Sequence, residues 1–199
     1  MYIAAFLSLG NHLSAQNWSI GPIAGVNVTN IDIDAPEGQN FESRPGFAGG
    51  LVVNYSDIEH FGASVNFLFS QYGGQVDGTD SKTRLNYFQV PLYAVWYFNE
   101  LEDNFRPKIY AGPYLGFLLA AKDESGRDLN PTGEAFNDVD AGITAGLGFN
   151  YRMARGLWLN FDLRYNHGLA NISAIDAVDA HNRGFGAMLG VAFSLTPEE

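Results

Sequence analysis

Eight stretches of this chain alternate, residue by residue, between apolar side chains and polar, small or absent ones. A period of two marks a β-strand whose faces meet different surroundings. The clearest stretch is DVDAGITAGLGFNYR, Asp138 to Arg152. Val139, Ala141, Ile143, Ala145, Leu147, Phe149 and Tyr151 fall on one face, with Asp138, Asp140, Thr144, Arg152 and three glycines among those on the other. In a soluble sandwich the apolar face packs a core. In a membrane barrel it meets lipid and the polar face lines the lumen. One strand does not decide between them.

The other seven stretches repeat the pattern. Their apolar faces begin at Trp18, Phe47, Phe61, Phe88, Ile109, Leu157 and Phe185, and most run ten residues or more. About 9–11 tilted residues cross a bilayer. Connections alternate in length: Ser56 to His60, Asn99 to Phe105 and Met153 to Gly156 are short. Asn30 to Arg44, Gln71 to Thr83, Lys122 to Asn137 and Asn171 to His181 are long and polar. A sandwich gives no reason for every second loop to be long, whereas outer-membrane barrels join short periplasmic turns with long extracellular loops. Trp18, Tyr55, Trp96, Phe98, Tyr151 and Phe193 gather near the short-turn ends as an interfacial girdle does, with Phe47, Tyr72 and Tyr165 assigned to the other rim. Pro22 and Pro113 fall inside strands of a sheet that has no free edge, so bulges are expected to absorb them.

Composition agrees. Only 17 % of the 199 residues are charged while 14 % are aromatic and 23 are glycine, which suits an all-β protein with much non-aqueous surface. The mean hydropathy of -0.08 is uninformative, because alternating strands average to zero. No apolar run is long enough for a membrane-spanning helix. A formal net charge of -11 without a Lys/Arg cluster excludes nucleic acid as a partner. The absence of cysteine removes disulfides, thiolate metal sites and thiol nucleophiles. Residues 1–15 read as the end of a signal peptide, with an apolar Ile3 to Leu9 and small residues before Gln16, though no Lys or Arg precedes Arg44. The barrel domain is then 16–199.

The chain resembles the PorT-like outer-membrane β-barrel family. The likeness rests on YFQVPLYAVWYF (Tyr87 to Phe98), KIYAGPYLGFLLAAK (Lys108 to Lys122), DVDAGITAGLGFNYR and LNFDLRYNHGLANI (Leu159 to Ile172). It implies a barrel in the bacterial outer membrane and says little about activity. One branch of that family is tied to secretion and gliding motility.

Taken together, the expected fold is an eight-stranded antiparallel up-and-down transmembrane β-barrel, monomeric and without cofactor. The candidate site is a polar lumen cluster of Lys108, Asp138, Asp140, Arg152, Asp162 and Arg164. Pairing through the Met153 to Gly156 turn sets Arg164 opposite Thr144, within diagonal reach of Asp140. Such charges form either a structural plug or the gate of a narrow pore, and the plug is favoured because so small a barrel is filled by side chains. His167 with Ser173 and Asp176, and His181 near Asp179, are the material for a surface hydrolase, but no motif fixes their geometry. His12 lies in the signal segment and His60 in a short turn. The acidic loop residues Asp32, Asp34, Glu37, Glu42, Asp77, Asp80, Asp123, Glu124, Asp128 and Glu134 lack calcium-loop spacing and read as a solvated surface. The role expected is structural support or docking of an envelope partner through the long loops. The rivals are a narrow pore or small-solute binder, a surface hydrolase, and a soluble lipocalin-like barrel with its faces reversed.

Overall fold

A computed structural model describes residues 17–33, 41–57, 59–76, 82–175 and 178–195. The signal-peptide expectation for residues 1–15 lies outside them, as do Asp34, Glu37, Asp77, Asp80 and Asp176. Eight strands follow in order: β1 (Asn17–Ile33), β2 (Phe41–Ser56), β3 (Phe61–Val76), β4 (Lys82–Tyr97), β5 (Phe105–Asp123), β6 (Val139–Ala154), β7 (Leu157–Gly168) and β8 (Ala180–Ser194). Each pairs antiparallel with its neighbours in the chain and β1 pairs with β8, which closes the barrel.

The alternation sorts as lipid requires. Val26, Phe47, Phe61, Leu92, Ile109, Leu147, Leu163 and Phe185 are exposed outward, at 42–67 % of their surface. Between them Asn27, Ser70, Gln89, Asp140, Thr144, Arg164 and Asn166 are buried at 3 % or less. This is the inverse of a soluble core, and it answers which face of β6 is inside. The girdle at the short-turn end forms as expected, with Trp18 packed on Tyr55 at 5.2 Å. Tyr72 does not join the opposite girdle. It has the parity of the lumen and is buried at 2 %.

Two expectations about the wall are corrected. The stretches Asn30 to Arg44 and Gln71 to Thr83 are largely strand, since β1 continues to Ile33 and β3 to Val76. A 16-residue strand rises about 3.3 Å per residue and leans ~40°, so it stands roughly 40 Å tall, against an apolar band of about 25 Å. The surplus stands above the bilayer, where the outer face no longer meets lipid and the outward apolar series stops, although Ile31, Tyr72 and Leu85 stay buried on the inner face. The prolines, for their part, are absorbed without bulges. Around Pro22 the β1–β8 pairing stops at Ile20↔Phe193 and resumes at Ile23↔Gly190 in unchanged register. Pro113 opposite β4 and Pro91 opposite β3 interrupt the pairing in the same way. A missing N–H removes a rung without adding a residue, so the register survives. Pro45 is the exception and lies within a one-residue shift between Ser43 and Ala48.

Candidate functional site

The lumen is filled in layers, and glycines decide who meets whom. Lys108, Gly148 and Asp162 occupy one rung across β5, β6 and β7. Gly148 has no side chain to stand between its neighbours, and the Lys108 Nζ reaches Asp162 Oδ1 at 2.7 Å. A Cβ on Gly148 would lie 2.7 Å from that same oxygen. One rung away the series is Tyr110, Gly146, Arg164, Gly186 and Asn27 from β5 through β6, β7 and β8 to β1. Here Tyr110 lies across Gly146, whose Cβ would sit 2.4 Å from the ring. The Arg164 Nη2 crosses Gly186 to donate to Asn27 Oδ1 at 3.3 Å.

Towards the long-loop end, Asp140 accepts from the Tyr114 hydroxyl at 3.3 Å and from Asn182 Nδ2 at 3.0 Å. Asn182 also donates to the Tyr87 hydroxyl, and Gln89 links Ser70 to Tyr72. Above this layer an apolar cluster of Ile31, Tyr72, Leu85, Tyr87, Ala121 and Ala180 receives Ile172 from the β7–β8 loop, with Phe136 and Leu129 of the β5–β6 loop packed against it. Ile172 is wholly buried. At the short-turn end Arg106 lies over the Tyr97 ring at 4.0 Å and donates to Ser56 Oγ, Asn99 O and Glu59 O. Among the described residues the space left inside is small: about 30 Å³ beside Asn54, Arg106 and Asn150, and about 10 Å³ beside Asn66 and Lys108. A water needs ~10–15 Å³ measured this way, so these hold a water or two and no solute.

Of the six residues expected to form the lumen cluster, Lys108, Asp140, Asp162 and Arg164 do point inward, but the structure does not gather them. Only Lys108 and Asp162 form an ion pair. Arg164 stands opposite Gly146, not Thr144, because β6 runs to Ala154 and closes on Leu157 through a two-residue turn, Arg155 and Gly156, the latter at φ 68°. That moves Arg164 one further same-face rung from Asp140, and the Arg164 partner is Asn27. Arg152 lies at the short-turn end, 4.8 Å over Trp158 and bonded to Leu101 O. Asp138 is exposed at the opposite rim and contributes only its carbonyl, to Leu118 N. Sequence reading missed Arg106, although it continues the inward series Lys108, Tyr110, Tyr114 by one step. It also missed Ile172, a loop residue with no periodicity to reveal it.

The loops at the long end hold one another. Asn130 accepts from Ala135 N and Phe136 N and donates to Phe136 O, folding the β5–β6 loop on itself. Asn171 does the same for the β7–β8 loop through Ser173 N, Ala180 N and Val178 O. Between the loops, Phe136 and Ser173 form a β-bridge and Asn137 Nδ2 donates to Asn171 O and Ser173 O at 2.9 and 2.8 Å. Ser173 Oγ accepts from Ile175 N, His181 Nδ1 faces Ala170 O and His167 packs on Tyr165. Among the described residues no hydrogen bond joins either histidine to Ser173, and no three acidic or histidine side chains converge as a metal site.

A family profile described as "Outer membrane protein beta-barrel domain" matches residues 14–174. Comparison with curated proteins finds no match. Among solved structures, the outer membrane protein OprG from Pseudomonas aeruginosa superposes with a TM-score of 0.58 at 16 % identity, covering 92 % of this chain and 98 % of that one. Neisserial surface protein A (NspA) gives 0.56 at 16 % identity, covering 87 % and 96 %. At such identities these likenesses speak for the fold.

Proposed function

Since the chain belongs to the outer membrane protein beta-barrel domain family and is a protein of the bacterial outer membrane, we propose that it acts as a closed, non-catalytic anchor that docks an envelope partner through its long-loop end. The observation that carries this reading is the filled interior. Arg106 stoppers one end, Ile172 the other, and the cavities between them among the described residues, about 30 and 10 Å³, are too small for a solute. What the barrel can offer is therefore its loop surface, which the Asn130 and Asn171 hubs fix in shape. Within the family we favour the PorT-like members, on the four segments quoted above. By the rule for such barrels the short turns face the periplasm, and the chain is taken as a monomer.

The alternative reading is a narrow pore gated at Arg164. Planar-bilayer recording on the refolded protein separates the two. The anchor gives no unitary conductance in the wild type. A wild-type channel abolished by Arg164→Ala overturns it. Docking is then tested by shortening residues 124–137 to a tight turn. The barrel should still form, while crosslinks to envelope proteins at that end disappear.

A further inference from the structure

Two cations face each other on the outer wall. Arg84 on β4 and Lys122 on β5 are directly opposed, both exposed and both of outward parity. Side chains so placed have Cβ atoms about 4.5–5.5 Å apart, and like charges there destabilise a sheet. Neither makes an ion pair among the described residues. On the far flank of Arg84 the partner is Gly73, which has no side chain. On the far flank of Lys122 lies Asp128, whose carboxylate is engaged by the Asn130 amide.

Their height on the barrel says what would resolve the repulsion. Phe88 and Phe117 form the rung at the top of the apolar belt at this seam, and Leu119 bulges beside them at 59 % exposure. Arg84 is four residues beyond Phe88, which at 3.3 Å per residue and ~40° of lean is roughly 10 Å higher. That is just above the headgroup layer, which extends about 5–8 Å beyond the hydrocarbon, and long basic side chains bend back into it. We propose that Arg84 and Lys122 clamp a phosphate of an outer-leaflet lipid headgroup, its acyl chains lying along Phe88, Phe117 and Leu119. Arg supplies a planar fork to a phosphate and Lys a point charge.

The test measures lipid retention by the refolded full barrel in detergent, by native mass spectrometry with bisphosphorylated lipid A as the probe. Each cation at an anionic membrane surface is worth about a five-fold gain in binding, so R84Q/K122Q should bind about 25-fold more weakly. The control R127Q/R155Q removes the same charge from the β5–β6 loop and the β6–β7 turn and should bind as the wild type does. Dephosphorylated lipid A should bind the wild type as weakly as lipid A binds R84Q/K122Q. Equal loss in the control, undiminished binding by R84Q/K122Q, or undiminished binding of dephosphorylated lipid overturns the proposal. So does displacement by millimolar inorganic phosphate, which would mark a free-anion site. Heat-dependent gel mobility confirms that each variant is a closed barrel. If the double variant does not fold, R84Q and K122Q singly should each cost about five-fold.

Discussion

Replacing Lys108 by methionine keeps the length of the side chain and strands the Asp162 carboxylate inside the barrel. The two side chains are only 8 % and 13 % exposed, and their contact at 2.7 Å crosses Gly148. Removing one member of such a pair costs about 3–5 kcal/mol, because a buried charge is left without compensation. For a protein this size, a urea slope of ~2 kcal/mol/M turns that into a midpoint lower by about 1.5–2.5 M. The second substitution tests the cause. With Asp162→Leu added, both charges are gone, and the loss should shrink to about 1 kcal/mol. Urea unfolding in phospholipid vesicles, followed by tryptophan fluorescence and gel mobility, reads both values. If Lys108→Met costs under 1 kcal/mol, or the double variant loses the sum of both singles, the stranded-charge argument is wrong.

Gly146→Val drives side-chain atoms into the Tyr110 ring, where even a Cβ would lie 2.4 Å away. It should cost about 1–3 kcal/mol in the same unfolding assay. Tyr110→Leu should relieve only part of this, since the Leu163 carbonyl also stands 2.5 Å from that Cβ. Ile172→Asp places a charge in the apolar cap, and burial of an unpaired charge is avoided by opening. Protease cleavage of the β7–β8 loop should rise at least ten-fold while heat-dependent gel mobility stays unchanged. Asp123, above the bilayer at the end of β5, accepts from the Ser125 hydroxyl and lies 3.0 Å from Arg127, and these hold its carboxyl below the ordinary range. A depressed value stabilises the turn above the ordinary carboxylate range and loses that stabilisation as pH falls through the lowered one. The Arg127 amide shift should therefore be flat from pH 7 to 5 and move only in more acid solution, with Ser125→Ala moving the transition upward.

The outward faces were readable from sequence because lipid imposes one rule at every second position. Val139 through Tyr151 obey it without exception, and the other strands follow it within the belt, apart from Gly49 between Phe47 and Leu51. Above the belt the rule lapses. In Gln71 to Val76 the outward positions no longer meet lipid, so no outward apolar series marks the stretch as strand, although Tyr72 on its inner face is buried. Lumen partners were hidden for a different reason. Arg164 and Asn27 lie on strands that do not touch, with β8 between them, and their meeting depends on the register of two strand pairs and on the empty place at Gly186. A turn judged two residues too long shifts every such pairing. The glycines were visible as an inward series. That they are spacers between specific partners became visible only once the rungs were aligned.

The bridge between Phe136 and Ser173, and the double hook of Asn137 on Asn171 and Ser173, make two separate stretches of chain into one heritable surface. A substitution that reshapes either loop is felt by the other, so variants that alter this end should arise as matched pairs. An antibody or phage that grips it meets a target slower to drift than two independent loops would be. A peptide grafted into one loop would, for the same reason, be displayed at the expense of both.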